Sequence, residues 1–278
     1  MPAGIPLAQG VKPLPAGSSL IQGEKSSQND RTYTAQSTLN GTWAAKGLPA
    51  GILAFTTTAA MGSFGLAGNE PVAVVMDRWD ELAAALARRG VQGLASSAQV
   101  HGAQLAVHSL PWSGWLRQRG VDGHVSTVPG SALAVTVADC VPILIGHPGG
   151  AIAALHAGWR GSAASILEGG LDLLESRGFP AAECQVYLGP AICGSCYEVG
   201  PEVISAVTGR RASGKQLLDV RQVLADRALG RGVAGITVES ACTRCGPRNF
   251  FSHRAGDSGR QLAVIALPFS AHASSQSS

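Results

Sequence analysis

Apolar residues collect in short, continuous runs along the middle and the end of the chain. Two of these runs, Ala132–Val137 and Ala151–Leu155, predict strands, and Gly149-Gly150 predicts a turn between them. The same pattern predicts strands at Cys184–Leu188, Ile236–Glu239 and Gln261–Pro268. Upstream, GILAFTTTAA is typical of a strand that ends in a Thr-rich loop. VQGLASSAQVHGAQLAVHS predicts paired strands around Gly102, and VDGHVSTV predicts a turn.

Three stretches carry helical signals. Arg78–Arg89 has Ala and Leu at helical spacing and Gly90 as a stop, and Leu217–Arg231 predicts an amphipathic helix. A third helix is predicted over Ala163–Arg177, with Ser162 as its N-cap. Because strands outnumber helices and alternate with them irregularly, the pattern favours a mixed α/β or α+β sandwich over a doubly wound sheet.

Composition divides the chain into three parts. Residues 1–46 are rich in Pro, Gly, Ser, Gln and Thr and predict a flexible extension, residues 47–268 predict one catalytic domain, and residues 269–278 predict a disordered tail. Hydrophobic residues make up 45% of the chain and charged residues 14%, so a sizeable core is expected.

Charge and hydropathy limit the classes of partner. The net charge of +3 comes without a basic stripe, so no nucleic-acid partner is expected. No apolar run has the length of a membrane span, and the N-terminus lacks the pattern of a secretory signal. We therefore expect a cytoplasmic protein without a membrane partner, and the oligomeric state stays open.

The candidate chemistry centres on a cysteine and two histidines. Cys140 comes shortly after the first apolar run, His156 follows the second, and His101 lies upstream in QVHGAQL. One thiolate and two imidazoles delivered from strand ends are what an open zinc site needs, with the fourth position left for water. Asp139 is either a group that supports a ligand or a carboxylate that faces solvent.

Arginines and the remaining cysteines supply further candidates. Arg160 with a helix start at Gly161-Ser162 predicts an anion site for phosphate or a carboxylate, unless Arg160 pairs with an acid elsewhere. Arg254 and Arg260 flank a Gly-containing loop and form a weaker version of the same site.

Four cysteines form two C-x-x-C pairs, Cys193 with Cys196 and Cys242 with Cys245. These cysteines are either free thiols, a disulfide or the ligands of a structural zinc ion. His124 is a candidate for a pocket, although a turn histidine is the simpler interpretation. Trp112 and Trp115 are candidates for stacking on a base, although an exposed hairpin tip is the simpler interpretation.

Several segments together resemble a known family. In order they are QVHGAQL, DGHVSTVPGSALAVTVADCVPILI, HAGWRGSAASIL, GPAICGSCYEVG and NFFSHRAGDSGR. They resemble the laccase-domain family, long called multicopper polyphenol oxidase and also described as purine nucleoside phosphorylase/adenosine deaminase, which includes the peptidoglycan editing factor. The resemblance covers roughly residues 50–268. It implies a four-layer α/β/β/α sandwich and a zinc ion held by His101, Cys140 and His156.

The chain departs from the family pattern at two places. The usual TTR-x-GG loop reads TTTAAMGSFGLAGNEP, so Thr58 stands about where an arginine is expected. The SYRR segment reads SHRA, which puts His253 in the tyrosine position. If the missing groups hold substrate, the substrate preference of this protein differs from that of its relatives.

The resemblance favours a zinc-dependent purine nucleoside enzyme that uses phosphate to split adenosine, inosine or methylthioadenosine, or that deaminates adenosine. A second hypothesis is an amidase that edits a peptidoglycan precursor with Cys140 as nucleophile and His156 as base. A third is a laccase-like polyphenol oxidase with copper, which seven scattered histidines disfavour, although a single copper ion could occupy the zinc site. A fourth is a relative that binds a nucleotide without turnover.

Overall fold

Residues 39–269 are described by a computed structural model. In chain order the strands are β1 (Thr42–Ala44), β2 (Leu53–Thr57), β3 (Gly93–Ala98), β4 (Leu105–His108), β5 (Gly114–Arg119), β6 (Gly123–Ser126), β7 (Ser131–Val137), β8 (Val141–His147), β9 (Ala151–Ala157), β10 (Gln185–Leu188), β11 (Glu198–Val199), β12 (Gln216–Leu217), β13 (Gly235–Val238) and β14 (Gln261–Leu267). The α-helices are α1 (Val72–Ala87), α2 (Trp159–Ala163), α3 (Ile166–Glu175), α4 (Pro201–Thr208) and α5 (Val220–Gly230).

Two six-stranded sheets form the framework. The first has the strand order β1-β2-β14-β7-β3-β5, and the second has the order β13-β10-β8-β9-β6-β4. The central strands β7 and β14 are antiparallel, and Leu133 lies opposite Ile265. Both side chains are fully buried, as are their neighbours on the other face, which explains why these strands read as continuous apolar runs.

The core between the sheets follows from strand alternation. Successive residues of a strand point to opposite faces, so Leu133 and Val135 of β7 contact the second sheet, whereas Ala132 and Ala134 face outward. The inter-sheet core also contains large side chains of the second sheet, namely Leu144, Ile152 and Tyr187.

Helices cover the outer face of each sheet. Trp79, Leu82 and Leu86 of α1 pack on the first sheet, and apolar faces of α3, α4 and α5 pack on the second. The resulting order of layers is α/β/β/α, which confirms the four-layer sandwich. Among residues 39–269, none of the helices combines the length and the apolar character that crossing a membrane demands.

The structure corrects several predicted elements. β3 and β4 are not partners, because β3 belongs to the first sheet and β4 to the second. The segment predicted as a turn contains β6, which pairs with β4 and β9. His156 lies inside β9 rather than after it. α1 begins at Val72 instead of Arg78, because its first turn is a β-branched run that resembles a strand in sequence.

The helix predicted after His156 is divided in two. Ser165 has a φ of 59°, a left-handed conformation that separates α2 from α3. Ser162 is not an N-cap, because it is buried inside α2 and its N–H donates to the carbonyl of Gly158. At the N-terminal side, β1 falls within residues 1–46, so the first strand of the fold begins before the predicted domain boundary at residue 47. The rest of that predicted extension, and the predicted tail beyond residue 269, lie outside the described residues.

Candidate metal centre

The three predicted ligands converge. One ligand atom each of His101, Cys140 and His156 lies within 4.8 Å of the other two. The side chains of the histidines meet edge to face, with ring centroids 4.7 Å apart. The structure therefore contains a His/Cys/His group that can hold a metal ion.

Sheet topology explains this convergence. β3 and β7 are parallel neighbours, so the loops after them emerge at the same edge of the first sheet. The loop after β3 carries His101, and the loop after β7 carries Cys140. His156 follows Ile152 and Ala154 at alternate positions of β9, on the face that packs against the first sheet.

Asp122 supports two of the ligands and was not predicted from the sequence. Its fully buried carboxylate accepts a hydrogen bond from His156 Nδ1 at 3.0 Å and bonds from the backbone N–H groups of His101 at 2.8 Å and Gly102 at 2.7 Å. These bonds hold His101 at a φ of 61°, a left-handed conformation that non-glycine residues rarely adopt. The bond to Asp122 occupies Nδ1 of His156, so Nε2 is the nitrogen that is left to bind a metal.

The charges of the group reinforce one another. Burial alone would raise the pKa of the Cys140 thiol, but the charge of His156 and hydrogen bonds from both histidines lower it to about 6. Burial opposes the charged form of His156 too, yet the Cys140 thiolate and Asp122 raise its pKa to about 9. The negative charges that favour imidazolium also attract a metal cation, and the thiolate is the form of cysteine that binds metals.

The donor set fits a transition-metal ion. Thiolate and imidazole ligands suit zinc and copper, and a carboxylate that orients a histidine ligand is a regular feature of such sites. Gly158 keeps the approach to the group free, because a Cβ there would lie 3.0 Å from Cys140 Sγ and 3.6 Å from the His101 ring.

Asp139 does not face bulk solvent, and its carboxylate bonds to neighbouring loops instead of to a ligand side chain. It is buried, has a φ of 81°, and accepts hydrogen bonds from Thr243 Oγ1 at 2.6 Å and from the backbone N–H of Arg254 at 2.7 Å. Asp139 thus joins the loop that carries Cys140 to two loops from the C-terminal part of the chain. Thr243 was not singled out from the sequence, where it lies between two cysteines.

A cavity of about 680 Å³ adjoins the His/Cys/His group. Its lining includes all three predicted arginines, together with Arg117 and Tyr197, which the sequence did not single out. Gly65–Gly68, from the segment that replaces the usual TTR-x-GG loop, also line it, as does His253. Thr58 is not among the described lining residues, and its hydroxyl donates to the carbonyl of Gly41.

The three predicted arginines differ in their partners. Arg160 is exposed, and its guanidinium stacks 4.4 Å from the Trp159 ring without an ion pair to any carboxylate in residues 39–269. Arg254 donates to the carbonyl of Glu198, and Arg260 donates to carbonyls of its own loop. Arg160 is therefore the predicted arginine that is most available to an anion. The predicted helix start at Gly161-Ser162 is wrong, because α2 begins at Trp159.

Other predicted residues lie outside the cavity. His124 is fully buried in β6 and bonds to His108 at 3.1 Å, and burial followed by the charge of His108 lowers its pKa to about 3. Trp115 stacks on Trp79 with centroids 4.3 Å apart, and Trp112 packs against His108. The two C-x-x-C pairs form a second cluster.

The sandwich and its His/Cys/His group define a class of two-sheet protein with a metal-binding centre at the edge of the sheets. Residues 58–268 match the family described as multi-copper polyphenol oxidoreductase laccase. Because this match spans most of the chain, the protein belongs to that family.

Named relatives add to this assignment. A purine nucleoside phosphorylase of Deinococcus radiodurans is 35% identical over 61% of this chain and 68% of its own length. Adenosine deaminase RL5, from an unknown prokaryotic organism, is 36% identical over 49% of this chain and 57% of its own length. The crystal structure of YlmD from Geobacillus stearothermophilus aligns with a TM-score of 0.74 and 29% identity, covering 84% of this chain and 98% of that one.

Proposed function

We propose that this protein is a purine nucleoside phosphorylase that holds a zinc ion with His101, Cys140 and His156. The observation that carries the proposal is the His/Cys/His group in one cavity with Arg160, an arginine that has no carboxylate partner within residues 39–269. The names of the relatives support a nucleoside as substrate. The cavity volume lies in the range of pockets that hold small molecules, about 300–1,000 Å³.

Zinc is the proposed ion because its usual ligands are thiolate and imidazole. A copper oxidase with several coppers needs many histidine ligands, whereas the His/Cys/His group contains only two of the chain's seven histidines. A zinc ion held by His101, Cys140 and His156 would supply Lewis acidity to the reaction. The protein positions the reacting groups: Asp122 holds His156 and the His101 loop in place, and the cavity positions the substrate.

Arg160 is assigned to phosphate. A guanidinium without a carboxylate partner offers several donors to phosphate oxygens, and the Trp159 ring beneath it limits its orientations. In phosphorolysis a phosphate oxygen forms a bond to C1′ of the ribose while the bond from C1′ to the base breaks. The base leaves with that electron pair and takes the proton that phosphate gives up. The charge that develops in this step makes positioning and electrostatics the main contributions of the site.

Adenosine deamination is a second candidate at the same site, favoured by the similarity to a protein named adenosine deaminase. It consumes water and releases ammonia, so it does not need phosphate or Arg160. A thiol hydrolase is a third candidate, because Cys140 and His156 lie together and the Cys140 thiol has a lowered pKa. Metal bound through Cys140 Sγ leaves no free thiolate for such a role.

The test is a turnover assay on protein purified without metal-affinity chromatography. Adenosine, inosine and methylthioadenosine are incubated with and without phosphate, and nucleosides and free bases are separated by chromatography. We expect free base only when phosphate is present. Arg160→Gln should raise KM for phosphate, whereas Arg88→Gln, at an exposed position just after α1, should leave it unchanged. Phosphate-independent inosine would instead assign deamination, and tight adenosine binding without turnover of any substrate would overturn both activities.

A further inference from the structure

We propose that Cys193, Cys196, Cys242 and Cys245 form a second metal site, a closed tetrathiolate site for a structural zinc ion. The four Sγ atoms all lie within 4.8 Å of one another, and those of Cys193 and Cys245 are 3.8 Å apart. Four sulfurs arranged tetrahedrally around zinc at about 2.3 Å are separated by about 3.8 Å from one another. The cluster therefore has the dimensions of a zinc site with little rearrangement.

The fold explains how two distant pairs meet. β10 and β13 are parallel neighbours in the second sheet, and each is followed by one C-x-x-C pair. Beyond these strands a bridge continues the pairing, in which Ala191 lies beside Cys242 and accepts a hydrogen bond from the N–H of Thr243 at 3.2 Å. The sheet thus closes the long sequence gap between the pairs.

Backbone N–H groups stabilise one thiolate. Cys242 Sγ accepts hydrogen bonds from the N–H groups of Cys193 at 3.3 Å, Arg244 at 3.4 Å and Cys245 at 3.4 Å. Such bonds favour the charged form of a ligand, which is the form that metals bind. Gly246 permits the tight loop, because a Cβ there would lie 2.5 Å from the carbonyl oxygen of Cys242.

The proposed site braces one wall of the cavity. Ile192, beside Cys193, lines the cavity and donates its N–H to the carbonyl of Asp139 at 3.1 Å. Thr243, beside Cys242, donates to the Asp139 carboxylate, and Tyr197, beside Cys196, lines the cavity as well. An ion in the cluster would therefore fix the neighbours of Asp139, the residue that precedes Cys140.

The experiment counts metals per chain. Full-length protein purified without metal-affinity chromatography is dialysed against a weak chelator, and zinc and iron are quantified by mass spectrometry. We expect two zinc ions per chain in the wild type and in Cys184→Ala, a buried cysteine outside both clusters. We expect one zinc ion in the double variant Cys193→Ser/Cys245→Ser and one in Cys140→Ser.

A second variant keeps the test valid if the double variant does not fold. Cys245→His retains a zinc ligand at an exposed position, so it should keep two zinc ions and, when cobalt replaces zinc, show an altered visible absorption spectrum. An unchanged zinc count in a folded Cys193→Ser/Cys245→Ser protein would overturn the proposal, as would iron in the cluster or a disulfide among the four cysteines in the wild type. Wild-type protein with a single zinc ion that only the double variant loses would support this site and contradict the one at Cys140.

Discussion

Replacement of Asp122 by asparagine tests how the metal centre is built. The carboxylate accepts bonds from His156 Nδ1 and from the backbone N–H groups of His101, Gly102 and Val100, at 2.7 to 3.3 Å. The asparagine amide has one acceptor oxygen, and its NH₂ group would face N–H donors. At least one of these donors therefore loses its acceptor, and the negative charge beside His156 disappears.

The expected loss can be estimated from similar supporting groups. Removal of a carboxylate that orients a histidine ligand weakens metal binding by about 10- to 100-fold, which corresponds to about 1.4–2.7 kcal/mol. We predict a loss in this range for Asp122→Asn, together with a lower thermal unfolding temperature of the metal-free protein, because donors that the carboxylate satisfied lose their acceptor.

Metal affinity is measured by competition with a chromophoric chelator, and unfolding by circular dichroism. The assay uses the Cys193→Ser/Cys245→Ser background so that only the His/Cys/His group contributes. Asp80→Asn, at an exposed position on α1, is the matched control and should leave metal affinity unchanged. Equal metal affinity in Asp122→Asn and in the control would refute the assigned role of Asp122.

Three further predictions concern binding, pH and packing. Arg160→Gln should raise KM for phosphate about tenfold or more, as expected for the loss of a charge-assisted hydrogen bond, and an unchanged KM in steady-state kinetics would remove Arg160 from the phosphate site. Burial lowers the pKa of His124 to about 3, so below about pH 6.5 the unfolded chain takes up a proton at this residue that the folded protein does not bind. His124 alone should therefore lower stability by about 2 kcal/mol between pH 7 and pH 5. Denaturant unfolding should show a correspondingly smaller fall in His124→Asn, and an equal fall in both proteins would contradict a neutral buried His124. Leu133→Ala, in the inter-sheet core, should cost about 2–5 kcal/mol in the same assay, and a cost below about 1 kcal/mol would contradict its placement there.

The parts of the fold that the sequence predicts well are those that depend on burial of a whole strand. β7, β9 and β14 are covered on both faces, so their apolar runs are continuous and visible in the sequence. The convergence of His101, Cys140 and His156 was predictable because Cys140 and His156 lie at or near the ends of such runs. For His101 the prediction depended on the resemblance of the surrounding segments to a family. β5 lies at the edge of the first sheet and is mostly exposed, so it carries no apolar run and was missed.

The features that the sequence did not reveal depend on tertiary contacts. Asp122 precedes a glycine and has the local pattern of a turn residue, yet the fold buries it completely against two ligand segments. The local sequence does not show whether two consecutive strands pair within one sheet or belong to two different sheets, so the predicted pairing of β3 with β4 was wrong. The two C-x-x-C pairs are distant in the sequence and are brought together by the parallel pairing of β10 with β13, which the sequences of these strands do not specify.

We propose above that three side chains from separate segments hold one zinc ion. The most direct test is a crystal of the full chain, prepared without added metal, with anomalous diffraction data collected on both sides of the zinc absorption edge. We predict an anomalous peak within about 2.0–2.3 Å of the ligand atoms of His101, Cys140 and His156 that disappears below the edge. Zinc-containing protein without a peak at these three residues would contradict the claim.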